Sequence, residues 1–218
     1  MAEEYLSLGW QVFGLSRREA SISDKYFKSI QADLSEFVNV PGALFELLGK
    51  QEKLDLVVLN AGILGVIADM TDSDIVDMKK TMDVNLWSNK VVLDWLFRHT
   101  GSIDQVVAIS SGAAVNGNRG WNGYSISKAA LNMMIKLYAE ERPETHFCSL
   151  APGLVDTAMQ DYLCSQTETE KFASLERIQT CRGTENMPRP GEFSSKFCQI
   201  IDSVRVYNSG CFKDVRKM

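Results

Sequence analysis

No stretch of this chain approaches the roughly 20 consecutive apolar residues needed to span a bilayer, and its first residues, MAEEYLSLGW, are acidic where a secretory leader is basic. The expectation is a cytoplasmic protein with no membrane partner. Cysteine is sparse and unpatterned: Cys148, Cys164, Cys181, Cys198 and Cys211 are odd in number, widely spaced and free of any C-x-x-C. Neither a metal site nor a disulfide framework is suggested. With only His99 and His146 and no G-x-S-x-G elbow, the sequence does not read as a serine hydrolase. It also lacks the G-x-x-x-x-G-K-[ST] of phosphate-loop hydrolases. Positive charge is not in excess, since 23 Lys and Arg stand against 28 Asp and Glu for a net charge of −5, so no overall field favours nucleic acid. There are no repeats, and 5 prolines and 15 glycines rule out a collagen-like or low-complexity chain.

What remains is globular: 218 residues, 45% hydrophobic and 23% charged, enough for one domain over residues 1–218. Short aliphatic or β-branched runs alternate with stretches of helical period, the pattern of βαβ units around a parallel sheet with helices on both faces. The expected strands are Trp10 to Leu15, Ser29 to Ala32, Leu54 to Asn60, Gln105 to Ser110, His146 to Ala151 and Gly210 to Val215. Ile75, Met78, Met82, Leu86, Leu93 and Leu96 recur at steps of three, four and seven, along one face of a long helix. A second helix is expected from Tyr124 to Glu141, stopped by Pro143, with Ala129, Leu131, Met134, Ile135 and Tyr138 as its packing face. Residues 156–190 are polar and weakly periodic, reading as a surface excursion of the kind that forms lids and binding loops.

Chemistry concentrates in ISSGAAVNGNRGWNGYSISKAALNMM, residues 109–134. Tyr124 and Lys128 are four apart on the expected helix, so both project from one face. A free phenol titrates near roughly pH 10, and a neighbouring ammonium favours the phenolate, so the pair forms a proton-transfer device. Ser110 and Ser111 end a strand, at the carboxyl edge where open α/β sheets bind ligands. Either serine could instead simply terminate that strand.

This arrangement resembles the short-chain dehydrogenase/reductase family, a Rossmann-like doubly wound fold of α/β/α layers, with Ser111 at the better spacing for its serine. Other motifs follow in the family's order. Asn60-Ala61-Gly62 looks like its N-A-G motif and Asn85 like its helix asparagine. Pro152-Gly153 with Val155 and Thr157 looks like its P-G motif, and Asp33-Leu34 like the pair beside the adenine. The phrase Y-S-I-S-K-A-A is similar to the sepiapterin reductase and benzil reductase branch. The resemblance implies hydride exchange between a nicotinamide and a small-molecule carbonyl or alcohol. Tyr124 would be the acid/base, Ser111 would hold the substrate oxygen, and Lys128 would tune Tyr124 and bind the ribose. Asn85 would hold a water on the proton path, its alternative use being to satisfy backbone groups. It also implies a homodimer or homotetramer through helices flanking the sheet, for which the LNMMIKLY segment is the apolar candidate.

Cofactor preference is read after the second strand of the family, where Ser16-Arg17-Arg18 stands in place of an acidic residue. A guanidinium there can pair with a 2′-phosphate, so NADP(H) is expected over NAD(H), with Arg17 as the contact. The family's opening strand and T-G-x-x-x-G-x-G turn have no counterpart, the early glycines being Gly9 and Gly14. The missing strand would lie between the WQVFGL and LDLVVLN strands, leaving two edges to close on each other or stay unpaired. Two readings follow: a reductase whose start lies upstream, or a short, cofactor-impaired scaffold or interaction protein.

Overall fold

The computed structural model describes residues 1–218. A short helix α1 (Ala2–Ser7) leads into strands β1 (Val12–Ser16) and β2 (Phe27–Gln31), followed by helix α2 (Val40–Leu48). The run LDLVVLN divides in two. Lys53–Leu54 forms β3, and Val57–Leu59 forms β4. Asp55 lies at the break, its carboxylate 2.8 Å from Lys53. Helices α3 (Ile75–Met82) and α4 (Ser88–His99) precede β5 (Ser102–Ile103) and β6 (Gln105–Ile109). Then come α5 (Asn122–Glu141), β7 (His146–Ala151), α6 (Ala158–Cys164), α7 (Ala173–Cys181), α8 (Pro190–Ser203) and β8 (Cys211–Asp214).

Every strand pairing is parallel. The main sheet runs β4-β6-β7-β8, while β1-β2 and β3-β5 form separate pairs. Successive residues of a strand face opposite ways, and β6 shows it. Val106 packs into a large cluster with Val40, Leu44, Leu93, Leu131 and Ile135, whereas Val107 joins Cys148, Leu150, Phe197 and Ile201 under α8. Strands covered on both faces account for the near-continuous apolar runs in the sequence.

β1 and β4 do not pair with each other or through another strand. Phe13, Leu15 and Ile30 of the β1-β2 pair instead pack on the α2/α4 cluster, so that pair is anchored by side chains rather than by a shared backbone ladder.

The long helical stripe is interrupted. Asp74 caps α3, its carboxylate accepting the Val76 N–H at 2.8 Å. Residues Asp83–Trp87 then form a π turn before α4. The extra residue in that turn shifts the helical phase. Leu86, Leu93 and Leu96 are buried as expected, but Ile75 is 61% exposed and Thr81 and Asn85 face inward. On α5, Leu131 and Ile135 are buried while Ala129 points to solvent, one helical step off the packed face.

The excursion over 156–190 is also more structured than its polarity suggests. Leu163, Phe172, Leu175, Ile178 and Met187 from α6, α7 and the segments on either side of α7 form an apolar core with Leu64, Trp121 and Tyr124. Polar residues cover its outer side, which is why the sequence reads as surface.

Candidate active site

β6 ends at Ile109, and the two serines beyond it diverge. Ser110 donates to Asn132 Oδ1 at 2.6 Å and is occupied within the fold. Ser111 caps a short 3₁₀ turn, its Oγ accepting the Ala113 N–H at 3.1 Å, and faces the Tyr124 phenol. Tyr124 lies in the first turn of α5 and is buried. Burial raises its pKa above the usual phenol value, and the Ser111 hydroxyl works in the opposite direction.

Lys128 follows one helical turn later, its Nζ 5.8 Å from the Tyr124 ring centroid. The ammonium donates to the Ile109 carbonyl at 2.7 Å, and burial lowers its pKa to about 8. Nζ is turned to the strand end here, and burial is the larger influence on the phenol.

Asn85 sits in the π turn, fully buried. Its Oδ1 accepts the Ile63 N–H at 2.7 Å, and its Nδ2 donates to the Ile63 carbonyl at 2.8 Å and to Ser127 Oγ at 2.9 Å. The side chain therefore clamps the segment after Asn60-Ala61-Gly62. Its own carbonyl accepts from Asn89 Nδ2 at 2.8 Å. Asn89 and Ser127 thus support the site without any local motif to announce them. Gly62 closes the same corner: a Cβ there would lie 3.3 Å from both Asn85 Oδ1 and Lys128 Nζ.

These residues open on a cleft of about 400 Å³, within the ~300–1,000 Å³ of small-molecule sites. Asn60, Gly62, Ser111, Tyr124 and Lys128 line it, as do Pro152, Gly153, Val155 and Thr157. Ala61 and Asn85 are not among the lining residues, Asn85 lying fully buried against Gly62. Ser16, Arg17, Arg18, Asp33 and Leu34 lie outside this lining, in and just after β1 and β2. Ser16 Oγ donates to the Arg18 carbonyl at 2.6 Å, Asp33 accepts from Ser35, and Leu34 packs on the large core. Trp121 closes one side, its Nε1 donating to Ser174 Oγ of α7 at 2.6 Å.

Three lining residues were not legible as site residues. Arg216 forms a two-point pair with Asp214, with distances of 2.9 and 2.6 Å, and rests against Gly112 and Gly153. Its place depends on β8 pairing with β7, a long-range contact without a local signature. Arg177 reaches the rim from α7. Gln160 is 7% exposed, and its Oε1 is buried without a hydrogen-bond partner. In a chain of net charge −5, Lys128, Arg177 and Arg216 line this cleft and no carboxylate does.

An open parallel sheet flanked by helices, with a cleft at its carboxyl edge bearing a hydroxyl, a phenol and an ammonium, defines a Rossmann-like α/β protein. The short chain dehydrogenase family model matches residues 1–168, and the chain belongs to that family of oxidoreductases. An uncharacterized oxidoreductase of Schizosaccharomyces pombe is 37% identical over 133 residues, 57% of this chain and 54% of that protein. The chain thus spans about half the length of that relative. A benzil reductase ((S)-benzoin forming) of Saccharomyces cerevisiae is 30% identical over 211 residues, 87% of this chain and 79% of the relative. The sepiapterin reductase of Bos taurus is 36% identical over 127 residues, 55% and 47% of the two chains. The solved 3-ketoacyl-(acyl-carrier-protein) reductase of Brucella melitensis, complexed with NADH, has a TM-score of 0.77 at 16% identity, covering 98% of this chain and 89% of that one. At that identity the likeness concerns the fold.

Members of this family bind nicotinamide cofactors. The lining is compatible with such a group: a side chain at Gly62 would crowd Asn85 and Lys128, Gly153 takes φ 84°, and the charged side chains lining the cleft are Lys128, Arg177 and Arg216.

Proposed function

We propose that this chain is a single dinucleotide-binding domain acting as an NADP(H)-dependent reductase of small carbonyl compounds, or the corresponding alcohol dehydrogenase in reverse. The observation that carries this reading is the meeting of Ser111, Tyr124 and Lys128 at the end of β6, inside a cleft walled by Asn60, Gly62, Pro152, Gly153, Val155 and Thr157. A nicotinamide dinucleotide held in this cleft would supply hydride chemistry. Ser111 Oγ donates to the substrate oxygen and holds it against the phenol. Tyr124, kept protonated by burial, gives its proton to that oxygen as negative charge develops there. Lys128 holds positive charge near the phenol and would hydrogen-bond the ribose of the cofactor. Asn85 positions the Gly62 wall through Ile63. The apolar core of α6 and α7 beside Trp121 shapes the substrate side, making residues 156–190 the specificity segment. A 1,2-diketone of the benzil type is the first substrate to test, given the yeast relative.

Arg17 and Arg18 at the end of β1 support the NADP(H) preference, since a guanidinium pairs with a 2′-phosphate where a carboxylate would repel it. Arg17→Asp is expected to raise the Kd for NADPH at least ~10-fold and leave that for NADH within about twofold, the loss of one charge-assisted contact. Isothermal titration with both dinucleotides measures this, and equal losses contradict the assignment. The exposed α5 side chains Ile126, Met133 and Leu137 support a homo-oligomer built on that helix. No helix is long and apolar enough to cross a membrane.

A further inference from the structure

Away from the cleft's chemistry, two cysteines meet in the sheet. β7 and β8 run side by side, and their register sets Cys148 directly opposite Cys211. Neighbouring strands lie about 4.8 Å apart, inside the ~4.4–6.8 Å that separates the Cα atoms of bridged cysteines. In-register neighbours point to the same face, and the two sulfurs are 3.8 Å apart. None of the five cysteines is bonded to another in this structure.

We propose that Cys148 and Cys211 form a redox-active dithiol that a hydroperoxide oxidises to an intramolecular disulfide between β7 and β8. The two thiols have different roles. Cys148 is fully buried beneath α8 with Leu150, Phe197 and Ile201, whereas Cys211 opens β8 after the Gly210 turn and is only half-buried. The hydrogen bond shared with Cys148 lowers the Cys211 pKa to about 7 against its burial, and the Lys213 ammonium adds to the lowering. The same contact, together with burial, pushes Cys148 up. A thiolate is the reactive species, so Cys211 is oxidised first and Cys148 resolves it.

The step balances. The Cys211 thiolate attacks one oxygen of hydrogen peroxide, the O–O bond breaks, and the leaving hydroxide takes a proton to become water, leaving a sulfenic acid. Cys148 sulfur then attacks Cys211 sulfur, the S–O bond breaks, and the departing hydroxide takes the Cys148 proton as a second water. Two electrons pass from the sulfurs to the peroxide. The bridge ties β7, which leads into Pro152-Gly153, to β8, which ends at Asp214 and leads into Arg216, so it joins the two strands that carry these lining residues.

The test treats the reduced full chain with one equivalent of hydrogen peroxide, alkylates the remaining thiols and maps peptides by mass. Three of the five cysteines should stay alkylatable, one linked peptide pair should contain Cys148 and Cys211, and dithiothreitol should restore all five. In Cys148→Ser, Cys211 should persist as a sulfenic acid trapped by dimedone. Five free thiols after treatment, a bridge using Cys164, Cys181 or Cys198, or a link between two chains would overturn the proposal. The mapping of the unaltered chain decides this even if the variant fails to fold.

Discussion

Lys128 keeps an ammonium inside the protein with a single carbonyl, that of Ile109, 2.7 Å away. Its pKa of about 8 lies below the ordinary ~10.4. Between those values the unfolded chain still holds a proton that the folded chain has released, so this group makes stability rise with pH across that window. Below about pH 8 the folded state carries the whole cost of the buried charge, of the order of 3 kcal/mol. Lys128→Met should therefore flatten the rise in denaturant midpoint that the unaltered chain shows between about pH 8 and 10. Equal slopes in the two chains would mean that Lys128 is not the buried cation described here. Protein sites often sacrifice stability for chemistry in this way, and among the residues named from sequence Lys128 shows it most clearly.

Within elements, legibility depended on periodicity remaining unbroken. The Tyr124-Lys128 spacing needs only a regular helix, and α5 supplies one, so that pair was readable. The stripe from Ile75 to Leu96 was extrapolated at constant phase across Asp83–Trp87, where the π turn inserts a residue and directs Asn85 inward. Nothing local in DVNLW announces the change. The outer face of α5 is a further element-level feature: Met133 and Leu137, one turn apart, are 57% and 56% exposed. Exposed apolar stripes of this kind mark association surfaces. Sedimentation at micromolar concentration should give a dimer or larger for the unaltered chain and a monomer for Met133→Glu with Leu137→Glu. A monomer for both would remove this face as an interface.

At the scale of the molecule, the alternation of runs was enough to read a parallel α/β sheet and the order of its motifs, because strands covered on both faces must be apolar. It did not reveal how the sheet is divided. The absence of a pairing between β1 and β4, the apolar core of residues 156–190, and the arrival of Arg216 at Gly112 and Gly153 all depend on contacts between segments far apart in the chain. Asp33-Leu34 was named from motif order and Ser16-Arg17-Arg18 from the charge that a 2′-phosphate needs, and all five residues lie in and just after β1 and β2, outside the cleft lining.

The central claim is that Tyr124 transfers the proton in carbonyl reduction, and the most direct measurement compares the full chain with Tyr124→Phe for NADPH-linked reduction of benzil and for NADPH binding. Removing the phenolic hydroxyl should lower kcat at least ~100-fold, the usual contribution of a positioned acid, and leave the Kd for NADPH within about twofold because the ring still packs against Trp121. Turnover unchanged by the substitution would contradict the account.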